Sequence, residues 1–400
     1  MNRHARRALA AGTVAALACG PALAVPTPAQ AAEGPFDAST CTDYEPFEPA
    51  PAWQVDRLDL DSPALTASGE GITIAVLDTG IDDSDNPVLE GVVAESLDFA
   101  GPAEDINCQH GTQVASLIAG QTPEDGSTSF RGVAPRAKVI GMRVLTSASA
   151  DPNESGQQGE PLTPTIAAID RAIEMDVDII NISQQGTDTV AYQDAITRAI
   201  DAGIVVVAAA GNQGGEGPAP YPASYPGVIA VGMTDSNDVA HESSQSHPDL
   251  EVTVAAPGVD VLAANPSGGG QSWEKATGTS FATPIVSGTV ALMLEDDPSL
   301  TPPDVRKRLQ ESADPPAGAV PDPQLGYGVV NPGRAMSDLP ALAPAAEQSP
   351  EPPQLAPHPH DRPEPNHLAR NLSVGFALGV AGIVTLGLGT VMALRARRDR

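Results

Sequence analysis

Between residues 53 and 335 short apolar runs alternate with helical patterns, and that alternation leaves the chain very few architectures. The runs are Ile72 to Leu77, Lys138 to Val144, Val177 to Ile182, Ile204 to Ala209, Val228 to Val231 and Val252 to Ala255. Runs of about four to eight residues, rich in Val and Ile, suit strands buried on both faces. Helical spacing falls between them, at His110 to Ala119, Pro164 to Met175, Thr189 to Ala202, Ser280 to Glu295 and Pro303 to Glu311. Strand, helix, strand repeated over this length predicts an α/β fold, a parallel sheet covered by helices on both faces. The polar stretch 146–163 breaks the rhythm and reads as a surface loop.

In open parallel sheets ligands gather beyond the carboxyl ends of the strands, so reactive side chains at strand ends and helix starts come first. Asp78 ends a strand pattern and is followed by Thr79-Gly80. His110 opens a helix in Cys108-Gln109-His110-Gly111-Thr112, and Ser280 opens another in Gly278-Thr279-Ser280-Phe281-Ala282-Thr283-Pro284. Each alone has a bland reading: a turn, a satisfied histidine, a helix N-cap. Together, in the order Asp, His, Ser, they match one of the known chain orders of a catalytic triad.

Both ends carry export signals. Arg3, Arg6 and Arg7 precede an apolar stretch to Val25 and then Ala29-Gln30-Ala31, the layout of a secretory signal peptide. Leu372 to Leu394 contains no charge and, at about 1.5 Å per residue, is long enough for a hydrocarbon layer of roughly 30 Å. Arg395, Arg397, Arg398 and Arg400 follow at once, which places the C-terminus in the cytoplasm and the rest outside. Prolines recur from Pro340 to Pro365 and make 338–370 a semi-rigid linker; His358 and His360 within it read as solvated. The formal net charge of −30 argues against nucleic acid as a partner, since no basic patch offsets it. Cys19 leaves with the signal peptide, so Cys41 and Cys108 remain. Outside the membrane they favour a disulfide, worth about 4 kcal/mol by loop entropy, with two buried thiols as the alternative.

Several segments together carry a family resemblance. Ala75-Val76-Leu77-Asp78-Thr79-Gly80-Ile81, His110-Gly111-Thr112, Ala209-Ala210-Gly211-Asn212 and the segment from Gly278 to Pro284 resemble the signature segments of subtilisin-like serine proteases. Tyr221-Pro222 and Ala256-Pro257-Gly258 match further stretches, and the likeness covers roughly residues 53–335. It implies a parallel seven-stranded sheet and a cis peptide at Tyr221-Pro222. The short arm, the cysteine two residues before His110, the linker and the terminal span narrow the resemblance to mycosins, the membrane-anchored subtilases of type VII secretion systems. That narrower resemblance implies that Cys41 pairs with Cys108 and pins the arm beside the active site.

The chemistry expected of these residues follows from their types. His110 takes the Ser280 proton, Asp78 fixes the His110 tautomer, and the Asn212 side chain with the Ser280 N–H receives the oxyanion. Ser183 and Gly211 are expected to line the substrate cleft. In the family the strand facing substrate usually reads Ser-Leu-Gly, whereas here it is Ser183-Gln184-Gln185-Gly186, so Gln185 is expected to narrow the wall of the primary pocket. Only 46 residues separate the signal from Asp78, too few for the usual inhibitory propeptide, so folding without one is expected. Asp82, Asp83 and Asp85 read as a solvated turn, and no metal or cofactor is expected. The expected plan is therefore a signal peptide (1–31), an N-terminal extension (32–52), a peptidase domain (53–337), a linker (338–370), a transmembrane helix (371–394) and a cytoplasmic tail (395–400). The expected function is a membrane-anchored extracytoplasmic endopeptidase acting on protein or peptide substrates exported by a type VII system, with channel subunits as partners. A structural role in that complex, with proteolysis incidental, is the alternative.

Overall fold

The computed structural model describes residues 33–42, 50–103, 106–146, 162–215, 217–266 and 272–337. The expected signal peptide, linker, span and tail lie outside these residues, as do 43–49 of the arm and most of the 146–163 loop. Among the described residues no helix is long and apolar enough to cross a membrane.

In chain order the strands are β1 (Gly34–Pro35), β2 (Thr73–Asp78), β3 (Val93–Asp98), β4 (Lys138–Arg143), β5 (Ile179–Ile182), β6 (Val205–Ala209), β7 (Ile229–Thr234), β8 (Val254–Pro257), β9 (Val261–Ala264) and β10 (Trp273–Ala276). The helices are α1 (Trp53–Arg57), α2 (Gln109–Ala119), α3 (Leu162–Glu174), α4 (Val190–Asp201), α5 (Thr279–Asp296), α6 (Pro302–Ser312) and α7 (Pro332–Ala335). The main sheet runs β1-β3-β4-β2-β5-β6-β7-β8. From β3 to β8 every neighbouring pair is parallel, which accounts for the seven expected strands. The sheet nevertheless has eight. The N-terminal arm adds β1, antiparallel on β3, with Gly34 opposite Asp98 and Pro35 opposite Leu97. Pairing satisfies backbone groups of the exposed edge of β3 and needs no side-chain period, so two residues suffice.

Alternation along β2 sends its side chains to two separate cores. Ile74 and Val76 pack with Val114 and Leu117 of α2 and Ile285 and Leu292 of α5. Ala75 and Leu77 pack instead with Ile169 and Ala172 of α3 and Ile196 and Ala199 of α4. The helix α5 is buried on all sides from Thr279 to Leu294, as its apolar residues all around the axis require. Cutting Leu292 back to Ala would cost about 2–5 kcal/mol there. β9 and β10 form a separate antiparallel hairpin. The Tyr221-Pro222 peptide is cis, and so is Val320-Pro321. Asp82 departs from the expected solvated turn. It is 2% exposed; its Oδ1 accepts the Ser84 N–H at 3.1 Å, and its own N–H donates to Thr112 Oγ1 at 2.9 Å.

Candidate active site

The strand order sets β2, β5 and β6 side by side, so their carboxyl ends deliver three segments to one place. Asp78 is the last residue of β2, Ser183 follows β5, and Gly211-Asn212 follow β6 by two residues. The first turn of α5 is tied to the latter two. The Thr279 N–H and Oγ1–H donate to Asn212 Oδ1 at 2.9 and 3.0 Å. The Gly211 N–H donates to Thr279 Oγ1 at 3.1 Å, and Ser183 Oγ–H donates to the Ser280 carbonyl at 2.8 Å. With Oδ1 held by Thr279, the Asn212 Nδ2 donor is turned the other way. Nδ2 and Ser280 Oγ both border the bare α-carbon of Gly278, at 3.3 and 3.1 Å from where a side chain would start. A donor amide and a hydroxyl thus face one small space at a helix N-terminus, where the dipole favours negative charge.

His110 lies in the first turn of α2. Its Nδ1 is 2.8 Å from Asp78 Oδ1 and 2.9 Å from Oδ2. A carboxylate there fixes the tautomer with the proton on Nδ1 and leaves Nε2 as the acceptor. Asp78 is 1% exposed, and its Oδ1 also accepts the Thr79 N–H at 2.7 Å. Burial works against the imidazolium, but the Asp78 charge and hydrogen bond outweigh it and hold His110 above the usual imidazole range. The His110 ring stands 5.2 Å, centroid to centroid, from Phe281, the residue after Ser280.

The glycines of these motifs are a matter of space. Any side chain on Gly111 would run into the Gly80 carbonyl, and the Gly111 N–H donates to Thr79 Oγ1 at 3.1 Å. The α2 N-terminus can approach the end of β2 closely enough for the His110–Asp78 bond only because that space is empty.

Cys41 and Cys108 are joined by a disulfide, with Cα atoms 5.5 Å apart, so the arm is tied two residues before His110. Phe36 of the arm packs its ring over Gly80, 2.6 Å from where a side chain would start.

Asp78, His110, Ser183, Gly211, Asn212 and Ser280 therefore meet at one end of the sheet. Ser183 braces more than it lines: it is 3% exposed, accepts from Asn181 Nδ2 at 3.0 Å, and holds the Ser280 carbonyl. Sequence reasoning passed over Asn181, which is fully buried and whose Oδ1 accepts from Ser287 Oγ at 2.8 Å. Its signal was a lone amide inside the apolar run from Val177 to Ile182. Thr279, which the sequence shows only as one residue of a motif, links Gly211 to Asn212 through its hydroxyl.

Known proteins share both the sequence pattern and the fold of this chain. The family model described as "Subtilase family" matches residues 69–328. Subtilisin E of Bacillus subtilis is 36% identical over 262 residues, which is 64% of this chain and 64% of that protein's length. Among solved structures, "a serine protease MycP1, an essential component of the type VII (ESX-1) secretion system" superposes with a TM-score of 0.60 at 29% identity, over 74% of this chain and 91% of that one. The prenylagaramide maturation protease PagA superposes with a TM-score of 0.57 at 28% identity, covering 71% and 98% of the two chains.

Proposed function

The chain belongs to the subtilase family, and we propose that it is a membrane-anchored, extracytoplasmic serine endopeptidase that cuts proteins exported by a type VII secretion system. The observation that carries the proteolytic part is the His110–Asp78 pair set beside the helix start that bears Ser280. In this reading His110 Nε2 takes the proton as Ser280 Oγ attacks the substrate carbonyl carbon. The oxygen of that carbonyl becomes an oxyanion, received by Asn212 Nδ2 and the Ser280 N–H. The C–N bond then breaks, His110 returns the proton to the leaving amine, and an ester to Ser280 remains. Water, deprotonated by the same imidazole, hydrolyses that ester and restores the hydroxyl.

Membrane anchoring rests on the sequence, on the uncharged stretch 372–394 with its arginines and on the signal-like residues 1–31. The secretion context rests on likeness to MycP1 and on the tethered arm. The test is a fluorophosphonate probe on the membrane-bound protein: labelling that Ser280→Ala abolishes supports the reading, and no labelling of the unaltered protein rejects it.

MycP1 is an essential component of its secretion system, and likeness to it favours a second reading here, a structural role in such a complex. Secretion by Ser280→Ala cells against a full deletion separates the two. A point variant that secretes normally beside a deletion that does not identifies the scaffold.

A further inference from the structure

We infer that Gln185 closes the pocket that receives the substrate side chain next to the cut bond, and restricts cleavage to small residues there; this rests on the proposed endopeptidase reading. A substrate carbonyl held between Ser280 Oγ and Asn212 Nδ2 lies between the loops that follow β5 and β6. The side chain on the same residue must enter the crevice between 183–186 and 210–212, as ligands do at strand ends. Gly211, with φ +102°, forms one wall of that crevice and is bare.

The space over Gly211 is nonetheless taken. Any side chain there would collide with Gln185 Nε2 and Gln245 Oε1. Those two atoms form a hydrogen bond, Gln185 Nε2–H donating to Gln245 Oε1 at 3.2 Å. Gln245 is fully buried and cannot move aside: its Nε2 donates to the Pro218 carbonyl, and its backbone N–H donates to the Gly211 carbonyl at 2.9 Å. So the Gln245 amide has a fixed orientation, with its oxygen aimed across the crevice. Gln185 stands on the opposite wall and is half-buried, where Gln245 is wholly buried.

Because this amide pair takes the space over Gly211, a benzyl or long aliphatic side chain entering the crevice must displace Gln185, which leaves the buried Gln245 oxygen without that donor, whereas a methyl-sized side chain asks for the least displacement. Losing a buried partner in this way is expected to slow the reaction about tenfold or more. Gln185 is thus a specificity-determining residue, and Gln245 positions it.

The experiment uses the membrane-bound full chain with two peptidyl diphenyl phosphonates that differ only in an Ala or a Phe side chain at the reacting position. Ser280 Oγ forms a bond to phosphorus, one P–O(phenyl) bond breaks, and phenol leaves with the proton. A small alkyl fluorophosphonate, which has no side chain for the crevice, reports separately whether Ser280 reacts at all. The expected result is faster inactivation by the Ala compound in the unaltered protein. Gln185→Gly should raise the Phe-to-Ala rate ratio at least about tenfold. Gln185→Ala is carried alongside, and whichever variant still takes the alkyl probe decides. Labelling by the alkyl probe with a smaller change in the ratio, or a Phe preference in the unaltered protein, overturns the role of Gln185 and leaves the endopeptidase reading standing. No labelling of the unaltered protein by any of the three compounds overturns both.

Discussion

His110 presents Nδ1 to both carboxylate oxygens of Asp78, at 2.8 and 2.9 Å. The folded-state pKa of the imidazole is raised above 6.5 because the buried Asp78 charge and its hydrogen bond outweigh the cost of burying the cation. General-base catalysis needs the neutral ring, so kcat/KM should rise with pH along a limb centred above 6.5. Stability moves the other way. A raised folded pKa contributes stability that is fully present below about 6.5 and is lost as pH climbs through the folded value. Asp78→Asn should move the acid limb down, cut kcat by about 10⁴-fold and flatten the pH dependence of Tm in that window. A pH–rate profile and a pH–Tm series of both proteins check this, and an unmoved limb removes Asp78 from the mechanism.

Asn212 is held through its oxygen by Thr279, and only its Nδ2 faces the space beside Ser280 Oγ. Asn212→Ala should therefore lower kcat by about 10²–10³ while KM changes little, since the donor acts on charge that appears only in the transition state. Thr279→Val, which removes the hydroxyl link while keeping the volume, should lose less, about tenfold, by loosening the amide. Steady-state kinetics on a peptide ester decide; a raised KM with kcat unchanged for Asn212→Ala would mean that it binds ground state and transition state alike.

Most of this site was legible because its parts are short and covalently continuous. Asp78-Thr79-Gly80, His110-Gly111 and Gly278-Thr279-Ser280 each announce a tight local geometry, and the Val- and Ile-rich runs that carry them can be little but buried strands. The β1–β3 end of the sheet was not legible. In β3 only Leu97 is buried, so Val93 to Asp98 shows no apolar run, and β1 is two residues long. The bracing contacts were also hidden. Ser183 to the Ser280 carbonyl and Gln185 to Gln245 span 97 and 60 positions of chain, and polar residues leave no period by which such pairs could be found.

The Cys41–Cys108 disulfide closes a loop with a sequence separation of 67. By chain entropy that contributes about 4 kcal/mol, an upper value because the unfolded loop is not a random coil. Cys41→Ser should lower Tm by several degrees, as should reduction of the native protein. Calorimetry with and without reductant checks this, and a Tm that reduction leaves unchanged would show that the bond does not constrain the fold.

Gly111→Ala tests how closely the site depends on one missing methyl group. Alanine is a better helix former than glycine, so intrinsic propensity alone would stabilise α2 by roughly 0.5–1 kcal/mol. The added carbon would run into the Gly80 carbonyl, however, and backbone cannot step aside as a side chain can. The first turn of α2 must then move, against an overpacking cost of about 1–3 kcal/mol, so the net sign is destabilising. Movement there stretches the 2.8 Å bond from His110 to Asp78. A misplacement of about 1 Å costs on the order of 10²-fold in rate, so activity should fall by more than the loss of Tm accounts for. Measured well below the variant's own Tm, kcat should still be down about 10²-fold. Normal turnover at that temperature would show that α2 can approach β2 without the gap.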